Sequence, residues 1–314
     1  MALDLPLTDT AAMLRDALDR YLADNPRPGW EGLAQELGLM GLGIPEASGG
    51  TGGGAIERAV VVEALGPALA GSDWLAHHLG ASALARLVPD HSLLPALAEG
   101  TARIALVLDP ALVAGAAQAD WLLDLDGHGA RLLTATDAER RVRAMFDGTQ
   151  VADLTLPAAG GEGLSGDAVA VAHWARSAQL TARCAEAAGL MARMLADTAA
   201  YLNQREQFGQ PIARFQVLRH RTADMHMALL KAAALTERAV LAEDQPAWDH
   251  AVSAAVVETI DAVRLVGEGA VQLHGGMGVT EELDLGGQFK RALTITATFG
   301  PRTAHLARHA ETLG

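Results

Sequence analysis

The 314-residue sequence predicts a mainly α-helical protein with a small β domain in its middle. Three observations carry that prediction. Leu180, Cys184, Ala187, Met191, Met194, Thr198 and Tyr201 recur at spacings of three and four, and Phe215, Leu218, Thr222, Met225 and Leu229 do the same. That is the period of helices with one apolar stripe each. From Ile104 to Leu156 the pattern shortens to strand-length runs. Half of the residues are apolar but only 4% are aromatic, which suits Ala-rich packed helices. The length exceeds that of one usual compact domain. Residues 1–102 are therefore expected as an N-terminal helical domain, 103–166 as a short middle β domain, and 167–314 as a C-terminal helical bundle.

Taken in order, Thr8 or Thr10 can cap a helix carrying Met13, Leu14, Leu18 and Leu22. Glu31–Leu39 and Ile56–Leu65 predict two further helices, and Trp74–Val88 and Leu93–Leu97 two more. The glycine-rich run Leu37–Gly54 lacks the Lys-Ser/Thr and the strand-to-helix setting of a phosphate loop. In the middle, Ile104–Leu108, Trp121–Leu125, Arg131–Ala135, Val142–Phe146 and Val151–Leu156 read as strands. Asp126–Gly129 reads as a hairpin connection and Asp147–Gly148 as a turn. Pro157–Gly166 is expected to act as a linker. In the last part, Val252, Val256, Thr259, Val263, Val266, Ala270 and Leu273 mark a third long helix. A bundle with a fourth partner follows, closed by a short helix over Thr303–Leu313.

The formal charge of −14 argues against a general nucleic-acid or anionic-membrane surface, though not against an anionic cofactor held by local arginines. Cys184 is the single cysteine, so no intramolecular disulfide or cysteine metal cluster is expected. No leader pattern and no uncharged run of membrane-spanning length stands out, so the chain reads as cytoplasmic.

The stretch Gln204–Gln216 joins a cation and an aromatic to a Gly-x-Pro break. Pro211 suits the start of a second helix and Gly209 the end of the first. Arg205 and Phe208 beside free helix-start N–H groups could hold a phosphate and stack a ring. Equally, Phe208 could staple the helical hairpin while Arg205 is solvated.

Arg205-x-Gln207-Phe208-Gly209-x-Pro211-Ile212-x-x-Phe215-Gln216 resembles a signature of the acyl-CoA dehydrogenase family. Gln272-Leu-His-Gly275-Gly276-Met-Gly278-Val-Thr-Glu-Glu282 resembles its other C-terminal signature, 67 residues further on. The Pro45-Glu46 glycine-rich turn is similar to that of the family's N-terminal domain. The resemblance implies the family's fold and a flavin adenine dinucleotide whose adenine half reaches into the neighbouring subunit. It puts Arg205 on the pyrophosphate, with Gln207, Phe208 and Gln216 near the adenine region. Gln272, Gly275 and Gly276 would bind the same half, with Gly278 allowing a close turn. Glycine N–H groups approach anionic oxygens closely, and arginine supplies a fork of donors.

The flavin-ring half departs from the family. The threonine that meets the ring corresponds to Leu108, the Gly-Ser-Asp part after it is absent, and the β block is about half the family's length. The usual base position corresponds to Phe299 and the alternative one to Gln179, neither a carboxylate. The chain therefore looks like the small, reduced subunit of heteromeric, steroid-type acyl-CoA dehydrogenases. The implied partners are a larger catalytic sister subunit, an acyl-CoA substrate that steroid-type members draw from steroids, and an electron-transfer acceptor. Two other readings stay open: a self-sufficient dehydrogenase using Glu281 or Glu282, and a flavin-free scaffold on the same fold. His305 and His309 share a metal-like spacing but read as a solvated face, and His226 as packed or capped.

Overall fold

The structure, a computed structural model, describes residues 2–125, 129–276 and 284–311. By internal contact the chain divides into two units: Thr8–Val61 with Ala70–Gln179, and Met1–Leu7 with Val62–Leu69 and Leu180–Gly314.

In the first unit, α1 (Asp9–Asp24) is capped by Thr8, whose hydroxyl accepts the Ala11 N–H at 3.1 Å. Such a cap contributes about 1 kcal/mol. Met13, expected on the apolar face, is instead exposed, while Leu18 is buried. The helix expected over 31–39 is only a π turn (Gly32–Glu36) and a 3-10 turn (Leu39–Gly41). Gly38 between them sits at φ +63°, a left-handed kink that no helix continues through. In the glycine-rich run, Gly43 N–H donates to Gly52 O and Gly52 N–H to Ile44 O. Those amides serve the loop itself. Helix α2 (Ala55–Leu65) begins in this unit, and α3 (Gly71–Leu87) and α4 (Leu94–Ala98) follow. His77 and His78 on α3 are buried, and that burial pushes their pKa values down to about 4 and about 3. Both rings are neutral near pH 7, bonded to the carbonyls of Leu97 and Leu42.

The β block forms two small sheets. In the first, β1 (Ile104–Val107) runs parallel to β3 (Trp121–Asp124), which pairs antiparallel with β4 (Arg131–Thr134), and β7 (Glu162–Gly163) follows. In the second, β2 (Val113–Ala114), β6 (Gln150–Thr155) and β5 (Glu139–Ala144) lie side by side. Val107, Leu122, Leu133, Ala152 and Leu154 share one core. The β3–β4 pairing agrees with the expected hairpin, though residues 126–128 lie outside the described ones. The Asp147–Gly148 turn closes β5–β6, with Met145 N–H on Thr149 O. Strand β5 starts at Glu139, three residues before the expected run, and its residues are all exposed. Part of the expected linker is β7, too short to show an alternating pattern.

The second unit is helical. It holds α5 (Ala168–Gln204) from Leu180 onward, α6 (Gln216–Leu241), α7 (Trp248–His274), α8 (Asp284–Ala297) and α9 (Arg302–Ala310). Helix α7 packs against α6, α8 and α9, and its whole expected stripe from Val252 to Leu273 is buried. The fourth partner is α8, which buries Leu285, Gln288, Ala292 and Ile295. At the centre, Glu186 is fully buried between Arg183 (2.6 Å) and Arg291 (2.7 Å). Burial alone would raise its pKa, but Arg291 and then Arg183 pull it below the usual carboxylate range. Among the described residues no helix is long and apolar enough to cross a membrane.

Candidate cofactor-binding site

The two C-terminal motifs meet at one end of this bundle. Helix α5 ends at Gln204, and the chain turns back through a two-stranded ribbon, β8 (Glu206–Gln207) and β9 (Gln210–Pro211). Phe208 (φ +53°) and Gly209 (φ +73°) form its tip, both left-handed, as a tight two-residue turn between twisted strands requires. Gly209 therefore serves the ribbon and not the helix end. Pro211 closes β9 ahead of a 3-10 turn (Ile212–Arg214), so α6 starts five residues later than Pro211 suggested.

A left-handed phenylalanine costs on the order of 1–2 kcal/mol and is an outlier for a bulky residue. Phe208 adopts it while 89% exposed, touching only the edge of Phe215 at 6.0 Å among ring contacts of the described residues. That rules out the staple reading, because a staple is buried by what it holds. Arg205 is anchored through its backbone, N–H to Tyr201 O and carbonyl from Ile212 N–H, each at 2.8 Å. Its guanidinium is exposed and has no protein partner among the described residues. Gln207 is exposed, and Gln216 opens α6 with its amide 3.4 Å from His220.

The second motif begins at the end of α7. Gln272 is exposed and its carbonyl accepts the Gly275 N–H. Gly275 sits at φ +61°, ψ −138°, a conformation open essentially to glycine alone. Among the described residues, no atom comes within 4 Å of where a side chain would stand on Gly275 or Gly276. Gly278, Glu281 and Glu282 lie outside the described residues. What joins the motifs is a stack between a residue ahead of the first motif and one inside the second. Tyr201, whose carbonyl anchors Arg205, lies against His274, the residue before Gly275, with ring centroids 4.5 Å apart and 24° between planes. His274 is buried and tied by Nδ1 to Ala270 O. Among the described residues, a cation held only through its backbone, an exposed ring on a left-handed backbone and two uncovered glycines thus stand at one end of one unit. They suit the phosphate-and-base end of a nucleotide cofactor.

The remaining candidates fall elsewhere. Leu108, just past the end of β1, lines a cavity of about 380 Å³ with Pro110, Asp124, Arg131 and Leu156. Phe299, just after α8, is buried, and its carbonyl accepts from His305 Nε2 at 2.8 Å. Gln179 is half-buried on α5. His305 is therefore buried, not solvated, and His309 stacks on His250 at 3.9 Å. His226 is exposed, since it lies off the face that α6 turns to α7.

The fold is that of a mainly helical protein with a small β region, and comparison with known proteins places it. Residues 181–314 match the acyl-CoA dehydrogenase C-terminal domain model and residues 8–100 the N-terminal one. Acyl-CoA dehydrogenase IpdE2 of Mycolicibacterium smegmatis is 34% identical, over 94% of this chain and 90% of its own. IpdE2 of Mycobacterium tuberculosis is 33% identical, over 84% and 79%. The chain belongs to the acyl-CoA dehydrogenase family, and that family implies FAD. The fold is that of the ChsE4–ChsE5 complex from Mycobacterium tuberculosis (TM-score 0.84, 24% identity, 99% of both chains). It is equally that of a variant of Tcur3481–Tcur3483, a steroid ACAD (TM-score 0.86, 24% identity, 97% and 98%).

Proposed function

We propose that this chain is the reduced subunit of a heteromeric acyl-CoA dehydrogenase, lending the adenine and pyrophosphate half of an FAD site to a larger catalytic sister subunit. The observation that carries the reading is the Tyr201–His274 stack, which sets the Arg205 turn and the Gly275 helix end side by side. Arg205 would pair with the pyrophosphate and Phe208 support the adenine region, with Gln207, Gln216, Gln272, Gly276 and Gly278 around them. The chemistry a bound flavin supplies is acceptance of a β-hydride from an acyl thioester whose α-proton goes to a carboxylate. This chain's residues bind and orient; they move no proton, since Phe299 and Gln179 fill both known base positions. Support for a heteromer and for a steroid-derived acyl group comes from the two structural neighbours, one a complex of two named chains and one a steroid enzyme. The division at 102 and 166, the electron-transfer acceptor and the cytoplasmic location belong to the same proposal.

Visible absorbance of purified protein, alone and co-purified with a larger acyl-CoA dehydrogenase chain, tests the reading. Flavin bands are expected only in the co-purified complex. Flavin on the chain alone supports a self-sufficient enzyme, and flavin in neither state a scaffold.

A further inference from the structure

Both halves of the cofactor site stand on helix ends. Helix α5 runs to Gln204 and α7 to His274, so Arg205 and Gly275 are each the first residue past an end. Helix ends open easily, because the last four carbonyls have no partner inside the helix. Arg205 is tied back to α5 by its N–H on Tyr201 O at 2.8 Å, and Gly275 to α7 by its N–H on Gln272 O. Each bond fixes a residue to its own helix. Neither sets the distance from the Arg205 turn to the Gly275 turn, which is what one bound anion touching both would feel.

The side chains of Tyr201 and His274 do set it. Their rings stack with centroids 4.5 Å apart and 24° between planes, joining the last turn of α5 to the last turn of α7. His274 is the fixed member: it is 5% exposed, and its Nδ1 bonds to Ala270 O at 2.9 Å, one turn back. Tyr201 is half-buried, and Asn203 and Gln204 after it are exposed. Its neighbour Leu202 is buried, but it points about 100° further round the helix and lines the groove towards α6. Leu202 therefore holds the end of α5 against α6, and Tyr201 holds it against the end of α7. Because Tyr201 also supplies the carbonyl that anchors Arg205, any movement of this turn carries the Arg205 backbone with it.

We infer that Tyr201 and His274 are positioning residues of the flavin half-site: their stack holds the Arg205 fork at the spacing from the Gly275–Gly276 backbone that one diphosphate needs. The inference rests on the flavin-lending reading and adds to it two residues that act through Arg205 and Gly275. Donors held in place beforehand bind without the cost of ordering them, so the stack raises affinity with no contact of its own. Its effect is therefore visible only while the arginine it places is present.

A double-mutant cycle in the assembled complex tests it. The flavin dissociation constant is read by quenching of flavin fluorescence, and the stability of the flavin-free complex by urea unfolding. Tyr201→Ala is expected to raise the dissociation constant roughly fivefold, the usual contribution of one aromatic pair. Tyr201→Leu, which fills the space without a ring, is expected to do the same and serves if the alanine variant does not assemble. Tyr201→Phe keeps the ring and is expected to stay within about twofold of wild type. On an Arg205→Ala background, Tyr201→Ala is expected to add less than about twofold. An unchanged dissociation constant with a lowered urea midpoint would overturn the inference and leave the stack as packing. Equal losses in Tyr201→Phe and Tyr201→Ala would also overturn it, since the hydroxyl and not the stack would then be acting. So would a loss in Tyr201→Ala that persists undiminished beside Arg205→Ala. Arg205→Ala without effect fails the flavin-lending reading itself, whereas a weakening by Arg205→Ala with Tyr201→Ala silent fails this inference alone.

Discussion

In the proposed complex, replacing the proton-abstracting glutamate of the larger chain by Gln is expected to lower turnover by about 10²–10⁴-fold, the usual contribution of a general base. No single carboxylate of this chain is expected to have that effect. Phe299 and Gln179 cannot accept a proton at neutral pH. Glu186, two helical turns beyond Gln179 on α5, is a carboxylate, but it is fully buried and both arginines already use its oxygens. Glu281→Gln and Glu282→Gln should leave turnover within a few-fold. Phe299→Glu should not create a second active centre, because the threonine loop after Leu108 is missing and Phe299 itself is 5% exposed. Steady-state kinetics of these variants in the complex settle the point. A loss of two decades in Glu281→Gln or Glu282→Gln with normal flavin content would make this subunit catalytic.

The second large effect is on stability. Glu186→Gln is expected to cost about 3–5 kcal/mol, because it strands two arginines in the bundle core without their counter-charge. Urea unfolding read by helical circular dichroism measures it. Pairing the change with Arg291→Met should recover part of the loss, since removing both members of a buried pair is milder than removing one. The pH dependence has a definite sign. Glu186 has a folded pKa below its unfolded one, so its contribution is present above the ordinary carboxylate range. It is lost as pH falls through the folded value. Wild type and Glu186→Gln should therefore converge in stability under acid.

The sequence stated most of this architecture because its helices have one-sided apolar stripes; that of α7 is buried throughout and that of α5 from Cys184 to Thr198, with Leu180 and Tyr201 at its ends only partly covered. It misled where local chemistry was ambiguous. Gly209 and Pro211 are good helix punctuation in isolation, and only the β8–β9 pairing shows that they belong to a ribbon. The helix expected over 31–39 failed because Gly38 is left-handed, which composition does not reveal. Helix α8 went unremarked although Leu285, Gln288, Ala292 and Ile295 carry a helical spacing. At the site, the signatures marked Arg205 and Gly275 but not what unites them. Tyr201 reads as one more stripe residue and His274 as a motif interior, and a stack across 73 positions leaves no trace in local pattern.

The central claim is that this chain lends the anionic half of a flavin site, and Arg205→Ala in the assembled complex tests it most directly. Arg205 is exposed and bonded only through its backbone among the described residues, so the change should leave folding and assembly intact. A charge-assisted contact to pyrophosphate contributes about 1.5–3 kcal/mol, and 1.4 kcal/mol is about one decade. The flavin dissociation constant of the complex is therefore expected to rise at least about tenfold. An unchanged dissociation constant in an intact complex would contradict the account and leave Arg205 a surface charge.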